Sequence, residues 1–298
     1  MTLSKKLFFS VFFNLSITLA ELVGGLISGS LALLSDSLHN ATDTISLVFA
    51  YVAHLISKRR GDEVFTYGYK RAEIVGALTN SVFMVIVSIF LMVEGIRRLF
   101  EPEIIDLDVM LPVAIVGLLG NLLTIIFLHG EHGLNVRAAF FHILSDLFSS
   151  VLVIAAGFVM KYFGVLWPDA IFTMAISVYL FGAGLKVFFE SSRILMQAAP
   201  KGWDSKRIHT ILKDLDFVKE VHHVHVWTPD GEKVYAELHV VLDPSFDKLL
   251  AFRKIHEKLK SSGVDHATVQ LEEKGYHEKM DEIEHNFEEE ENHFHDHG

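Results

Sequence analysis

Up to about residue 190 the chain consists of apolar runs of about 18 residues or more, long enough as helices to cross a bilayer core about 30 Å thick. Inside such a core each backbone N–H and C=O must be satisfied within its own segment, so the runs are read as helices. Their approximate limits are 7–28, 31–56, 73–98, 108–129, 136–161 and 168–189. Composition agrees, with 51% hydrophobic residues and a mean hydropathy of +0.36. Lys5 and Lys6 ahead of the first run look like the start of a signal peptide. That run is long, however, has no small-residue cleavage site, and leads straight into another apolar segment.

Six spans place both termini on one side. Lys5, Lys6, Lys58, Arg59, Arg60, Lys70, Arg71, Arg137, Lys186 and Arg193 fall at one set of ends, and Arg97, Arg98 and Lys161 at the other. The positive-inside rule then puts both termini and the loops 57–72 and 130–135 in the cytoplasm. Compact loops and no targeting segment point to a bacterial inner membrane.

The informative residues are those an apolar run should lack. The second run holds Ser35-Asp36-Ser37-Leu38-His39-Asn40-Ala41-Thr42-Asp43, and the fifth holds His142-Ile143-Leu144-Ser145-Asp146. A charged side chain at such a position costs about 2.5–3.5 kcal/mol. In each His-x-x-x-Asp the two residues share one helix face. Facing each other, the helices offer two imidazoles and two carboxylates, the donor set of four-coordinate zinc. An isolated pair is weak evidence, whereas two pairs in separate spans bear the insertion cost twice. The mixed donors suit zinc, with cadmium, cobalt, nickel and iron(II) also admitted. With 0 cysteines there is neither a disulfide nor a thiolate ligand. Imidazole titrates near pH 6.5, so metal and protons compete for such a site, and exposing it to each side in turn would exchange one for the other. Asp36, one turn before His39, is read as a supporting or outer-vestibule carboxylate. Glu21 is left open between a structural hydrogen-bond partner and a proton relay. Glu94 is expected to pair with Arg97 or Arg98, and Asn80 and Asn121 to bond across helices.

After Ala199-Pro200-Lys201-Gly202 the composition becomes that of a soluble domain. Its pattern reads helix (204–215), strand (221–228), strand (233–242), helix (246–261) and strand (267–272), with Asp230-Gly231 at the hairpin. Helices on one face of a small sheet are expected. His222, His223, His225 and His239 lie on neighbouring strands. The expected domains are therefore 1–198, 199–274 and an acidic, disordered tail 275–298 carrying His277, His285, His293, His295 and His297. That tail, and the loop with His129, Glu131 and His132, either collect metal weakly or are merely solvated. A net charge of −11 argues against nucleic-acid binding. No His-Glu-x-x-His occurs in a span, which excludes an intramembrane zinc protease.

These residues resemble the cation diffusion facilitator family, its zinc-transporting branch in particular, over about residues 7–273. The resemblance rests on Gly29-Ser30-Leu31-Ala32-Leu33-Leu34-Ser35-Asp36 running into His39–Asp43, on Phe65-Thr66-Tyr67-Gly68-Tyr69-Lys70-Arg71-Ala72-Glu73, on His142–Asp146, and on His222-His223-Val224-His225-Val226-Trp227. It implies an α-helical membrane protein with six transmembrane helices, a cytoplasmic ferredoxin-like αββαβ domain, and a homodimer. It further implies export of Zn2+ in exchange for protons by alternating access. The transport site would be His39, Asp43, His142 and Asp146. A cytoplasmic zinc site would use His222, His239 and Glu272, with Gln270 where some members have another histidine, and the loop 61–70, lacking histidine, would hold none. A membrane-anchored zinc sensor or metallochaperone is the competing reading. It would depend on His222 and His239 but not on Asp43 or Asp146.

Overall fold

The computed structural model describes residues 3–128 and 134–273, and the described side chains exclude those of 3–13, 47, 124, 125, 127, 128, 134–143 and 145. The loop with His129, Glu131 and His132 and the tail histidines from His277 onward lie outside the described residues. The chain divides into two compact units, Met1–Ser191 and Ser192–Gly298.

The first unit is helical: α1 (Leu3–Ser28), α2 (Leu31–Ser57), α3 (Arg71–Phe100), α4 (Leu107–Leu128), α5 (Leu134–Phe163) and α6 (Trp167–Leu195). Each begins and ends within a few residues of the apolar runs. Among the described residues, Arg71–Phe100, Asp146–Phe163 and Trp167–Leu195 are long and apolar enough to cross a membrane, and Asn14–Ser28 and Leu107–Leu123 are shorter apolar helices. The helix α2 falls short by composition because its first half is so polar.

Packing inverts the usual order of a soluble protein. Glu21, Ser35, Asp36, Ser37, Asn40, Thr42, Ser81, Ser88, Asn121, Asp146, Ser150, Asp169, Thr173 and Ser177 are buried, while Val48, Ile86, Phe90, Val93, Ile126, Phe148 and Tyr179 lie exposed. In water such outward faces would drive aggregation. Against lipid tails they are at home, and small or polar residues are left to hold the helices together. Helix α1 packs on α2 and α4, α4 on α5, and α2 on α3 and α5. Glycines permit the closest approaches. A Cβ at Gly24 would lie 2.7 Å from Val113 of α4, and one at Gly95 of α3 would lie 2.9 Å from Met174 of α6.

The N-terminus of α2 is fixed by a carboxylate from another helix. Asp169 of α6 accepts hydrogen bonds from Ser30 Oγ at 2.6 Å, Leu31 N at 2.9 Å and Ala32 N at 3.0 Å. Arg98 of α3 pairs with the same carboxylate at 3.7 Å and donates to the Gly29 carbonyl. Arg98 also pairs with Glu94 at 3.2 Å and Glu103 at 3.1 Å, and Arg97 with Glu94 at 2.5 Å. The Glu94 pairing agrees with expectation. Arg97 and Arg98 ran against the charge bias because they serve this network. Asn121 Nδ2 donates across to Ser150 Oγ of α5 at 3.5 Å, whereas Asn80 Oδ1 has no hydrogen-bond partner among the described residues.

The second unit contains α7 (Ser205–Lys213), β1 (Val218–Trp227), β2 (Tyr235–Leu242), α8 (Lys248–Ser261) and β3 (His266–Glu272). The strand order is β1-β2-β3, with β1 antiparallel and β3 parallel to β2. Ile208 and Leu212 of α7 and Ala251, Ile255 and Leu259 of α8 pack on Ala236, Leu238 and Val240, so both helices cover one face. Alternation along β2 and β3 then sends Glu237, His239, Gln270 and Glu272 to the other face.

Asp169→Ala removes the three bonds that start α2 and should cost about 1–2 kcal/mol. It should lower the thermal unfolding temperature of detergent-solubilised protein. Asp108→Ala, which breaks an exposed pair with Lys161, should change stability by less than about 1 kcal/mol.

Candidate metal centres

Helix α2 accommodates its polar run because its hydroxyls satisfy themselves locally. Ser35 Oγ donates to the Leu31 carbonyl at 2.7 Å, Thr42 Oγ1 to that of Leu38 at 2.7 Å and Ser46 Oγ to that of Thr42 at 2.7 Å. What remains is the set of titratable groups. His39 Nε2 lies 3.7 Å from Asp43 Oδ2 on the next turn. His39 Nδ1 has no hydrogen-bond partner among the described residues, and the ring meets Tyr179 of α6 edge-on at 6.4 Å.

Helix α5 runs against α2 at this level. Asp146 is 1% exposed. Its backbone carbonyl accepts from Ser149 Oγ and Ser150 Oγ, both at 2.9 Å. Ser149 Oγ also lies 2.5 Å from Asp36 Oδ1 and joins the two helices. Asp36 is buried rather than open to a vestibule. The backbone of α5 places His142 one turn before Asp146. The His142 side chain lies outside the described residues.

A further carboxylate belongs to this group. Glu21 of α1 is 0% exposed, accepts from Asn40 Nδ2 at 3.2 Å, and lies within electrostatic reach of Asp36 and Asp146. Its carboxyl occupies space opposite a glycine of α4, since a Cβ on Gly117 would lie 2.0 Å from Glu21 Oε1. Glu21 thus makes a hydrogen bond at the α1–α2 contact, to the residue that follows His39. Sequence reasoning missed Ser149, although its place three residues after Asp146, on the same face, was a usable signal.

In the second unit the register sets His222 opposite His239, and His239 opposite Gln270. Glu272 lies between the two imidazoles. Its Oε1 is 2.8 Å from His239 Nδ1, and its Oε2 is 3.1 Å from His222 Nε2. One donor atom from each of the three residues lies within 4.8 Å of the others. Gln270 Nε2 donates to Glu272 Oε1 at 2.7 Å. It therefore orients the carboxylate. Two imidazoles and a nearly buried carboxylate at this spacing fit a zinc-sized ion. His225, opposite Glu237, stands apart from the three. In the loop before α3, Asp62 accepts from the backbone N–H groups of Val64 and Phe65 and from the Tyr69 hydroxyl, which hold its carboxyl below the usual range.

Comparison with known proteins agrees with this division. The model of the cation efflux transmembrane domain matches residues 7–196, and that of the cation efflux protein cytoplasmic domain matches 200–274. The chain is 33% identical over 274 residues to the zinc transporter ZitB of Escherichia coli strain K12, covering 90% of this chain and 87% of the relative. It is 31% identical over 259 residues to a cadmium, cobalt and zinc/H(+)-K(+) antiporter of Bacillus subtilis strain 168, covering 85% and 83%. A third relative, the metal cation efflux system protein CzcD of Cupriavidus metallidurans, is 31% identical over 258 residues, covering 85% and 82%.

Zinc at about 100 times its dissociation constant should stabilise the protein by about 2.7 kcal/mol through a site present only when folded. The zinc-dependent rise in unfolding temperature should shrink in Glu272→Ala and His239→Ala. Calorimetry of the detergent-solubilised full chain measures it.

Proposed function

The chain belongs to the cation efflux family, whose members are membrane-embedded transporters and not enzymes, and from that premise we propose that it exports Zn2+ from the cytoplasm in exchange for protons. The observation that carries the reading is the burial of Asp146 on α5 against α2, the helix on which His39 and Asp43 sit one turn apart. Carboxylates and an imidazole so placed in an apolar bundle are costly without a cation to hold.

We assign His39, Asp43, His142 and Asp146 as the ligands of the transported ion. His39 and Asp43 bind from α2, and His142 and Asp146 bind from α5. Asp36, bonded to Ser149, ties α2 to α5 beside them, and Glu21, bonded to Asn40, ties α1 to α2. Zinc entering from the cytoplasm displaces protons from the imidazoles. Rocking of the helices opens the site outward, and the ion leaves as His39 and His142 are protonated again. Six spans, α1 to α6, with both termini cytoplasmic in a bacterial inner membrane, give this cycle its direction. The relatives' names support cadmium and cobalt as further cargo, and donor chemistry alone extends it to nickel and iron(II).

The second unit, about residues 199–274, is read as a cytoplasmic ferredoxin-like domain through which two copies form a homodimer. His222, His239 and Glu272 hold a resident zinc there. When bound, that ion cross-links β1, β2 and β3 by charge, Glu272 neutralises part of it, and Gln270 keeps the carboxylate aimed.

Reconstituted into liposomes with an imposed pH gradient, the protein should move zinc against the proton flow. Asp43→Ala and Asp146→Ala should each lower the initial rate about tenfold or more, the scale of losing a metal-orienting group. His222→Ala should leave zinc movement measurable. Zinc flux indifferent to both aspartates would reject the assignment. Loss of function with His222→Ala alone would favour a sensor built on the cytoplasmic module.

A further inference from the structure

The strand β1 carries an irregularity that the pairing of His222, His239 and Glu272 does not require. The register slips between His222 and His225. Val221, Val224 and Val226 all pack against the core of the second unit. In a regular strand Val221 and Val224, three residues apart, would face opposite ways. One extra residue is therefore inserted between them, and both His222 and His223 turn to the face away from the helices. The insertion places His223 at φ +48°, where only Gln197 joins it among the described non-glycine residues. That conformation costs of order 1 kcal/mol or more for a residue with a Cβ, and such outliers concentrate at functional sites.

The strained residue faces the metal cluster. The ring centroids of His223 and His239 are 5.0 Å apart, those of His222 and His223 5.8 Å, and those of His222 and His239 5.5 Å. Two imidazoles bound to one tetrahedral zinc at a Zn–N distance of about 2.05 Å have ring centroids about 5 Å apart. All three separations are near that value. The donor atoms of His222, His239 and Glu272 are already within 4.8 Å of one another. His223, whose side chain is exposed, needs only to turn about its Cα–Cβ and Cβ–Cγ bonds to aim a nitrogen at the same point.

We propose that His223 is the fourth ligand of the cytoplasmic zinc ion, delivered to the cluster by the bulge in β1. The proposal rests on the reading of His222, His239 and Glu272 as a metal site and deepens it. Three imidazoles and one carboxylate close a four-coordinate site. The position that Gln270 leaves unfilled on β3 is supplied from β1 instead, and the backbone strain at His223 is offset when the ion binds.

The test uses the full chain in detergent, with His39→Ala, Asp43→Ala, His142→Ala and Asp146→Ala removing the transmembrane ligands. Zinc affinity is measured by competition with a chromophoric chelator, and coordination by the visible absorption of bound Co2+. His223→Asn is the informative variant, because asparagine tolerates positive φ and the bulge should survive. It should weaken zinc binding about tenfold or more, and it should change the Co2+ bands from those of the parent. His223→Gly should do the same while stabilising the metal-free protein. His225→Asn should change neither reading. Unchanged affinity and Co2+ spectrum in His223→Asn, with His222→Ala still weakening binding, would overturn the role of His223 alone. Unchanged binding in both variants would overturn the cytoplasmic site itself.

Discussion

Charge inside an apolar layer is the constraint on which the first unit depends. A carboxylate or imidazole there must be paired, hydrogen-bonded or bound to a cation, because no bulk water is present to solvate it. Helix α2 concentrates that cost. Its polar stretch meets α1 and α5, and each of these contacts answers one of its groups. Asn40 meets Glu21, and Asp36 meets Ser149. The Glu21 carboxyl lies where a Cβ at Gly117 would stand. His39, Asp43 and Asp146 are the groups we propose to hold the transported cation beside these contacts.

The same constraint shapes the outer parts of the unit. The free N–H groups at the start of a buried helix need acceptors, and those of α2 receive the carboxylate of Asp169. Arg98 then balances that charge and ties α3 and α6 to the same point. The helix that bears the candidate site is thus held at its N-terminus by two others. In the second unit water can reach the sheet, so the requirement is weaker there. Its acidic group, Glu272, is nonetheless almost fully buried between two imidazoles.

Much of this was legible in the chain itself. Helix limits followed the apolar runs, because only helices satisfy the backbone in lipid. The strand and helix order of the second unit followed its periodicity, and the strand register brings the donor atoms of His222, His239 and Glu272 within 4.8 Å of one another. Contacts made by residues far apart in sequence were not legible. Asp169 lies 139 residues from Ser30, and nothing local marks it as a cap for another helix. The opposition of Gly117 and Glu21 depends on how α1 and α4 cross. The facing of His223 was written in the sequence but went unread. Valines at 221, 224 and 226, spaced three and then two apart, are the mark of an inserted residue in a strand whose inner face is apolar.

X-ray absorption of zinc bound at one equivalent to the full chain carrying His222→Ala and His239→Ala tests the central claim most directly, since it reads the ligands of the transmembrane ion without requiring transport. A shell of four nitrogen and oxygen donors, two of them imidazole, reduced to one imidazole by His142→Ala, is the predicted result. A six-coordinate all-oxygen shell, or a spectrum unaltered by His142→Ala, would contradict the assignment of one site shared between α2 and α5.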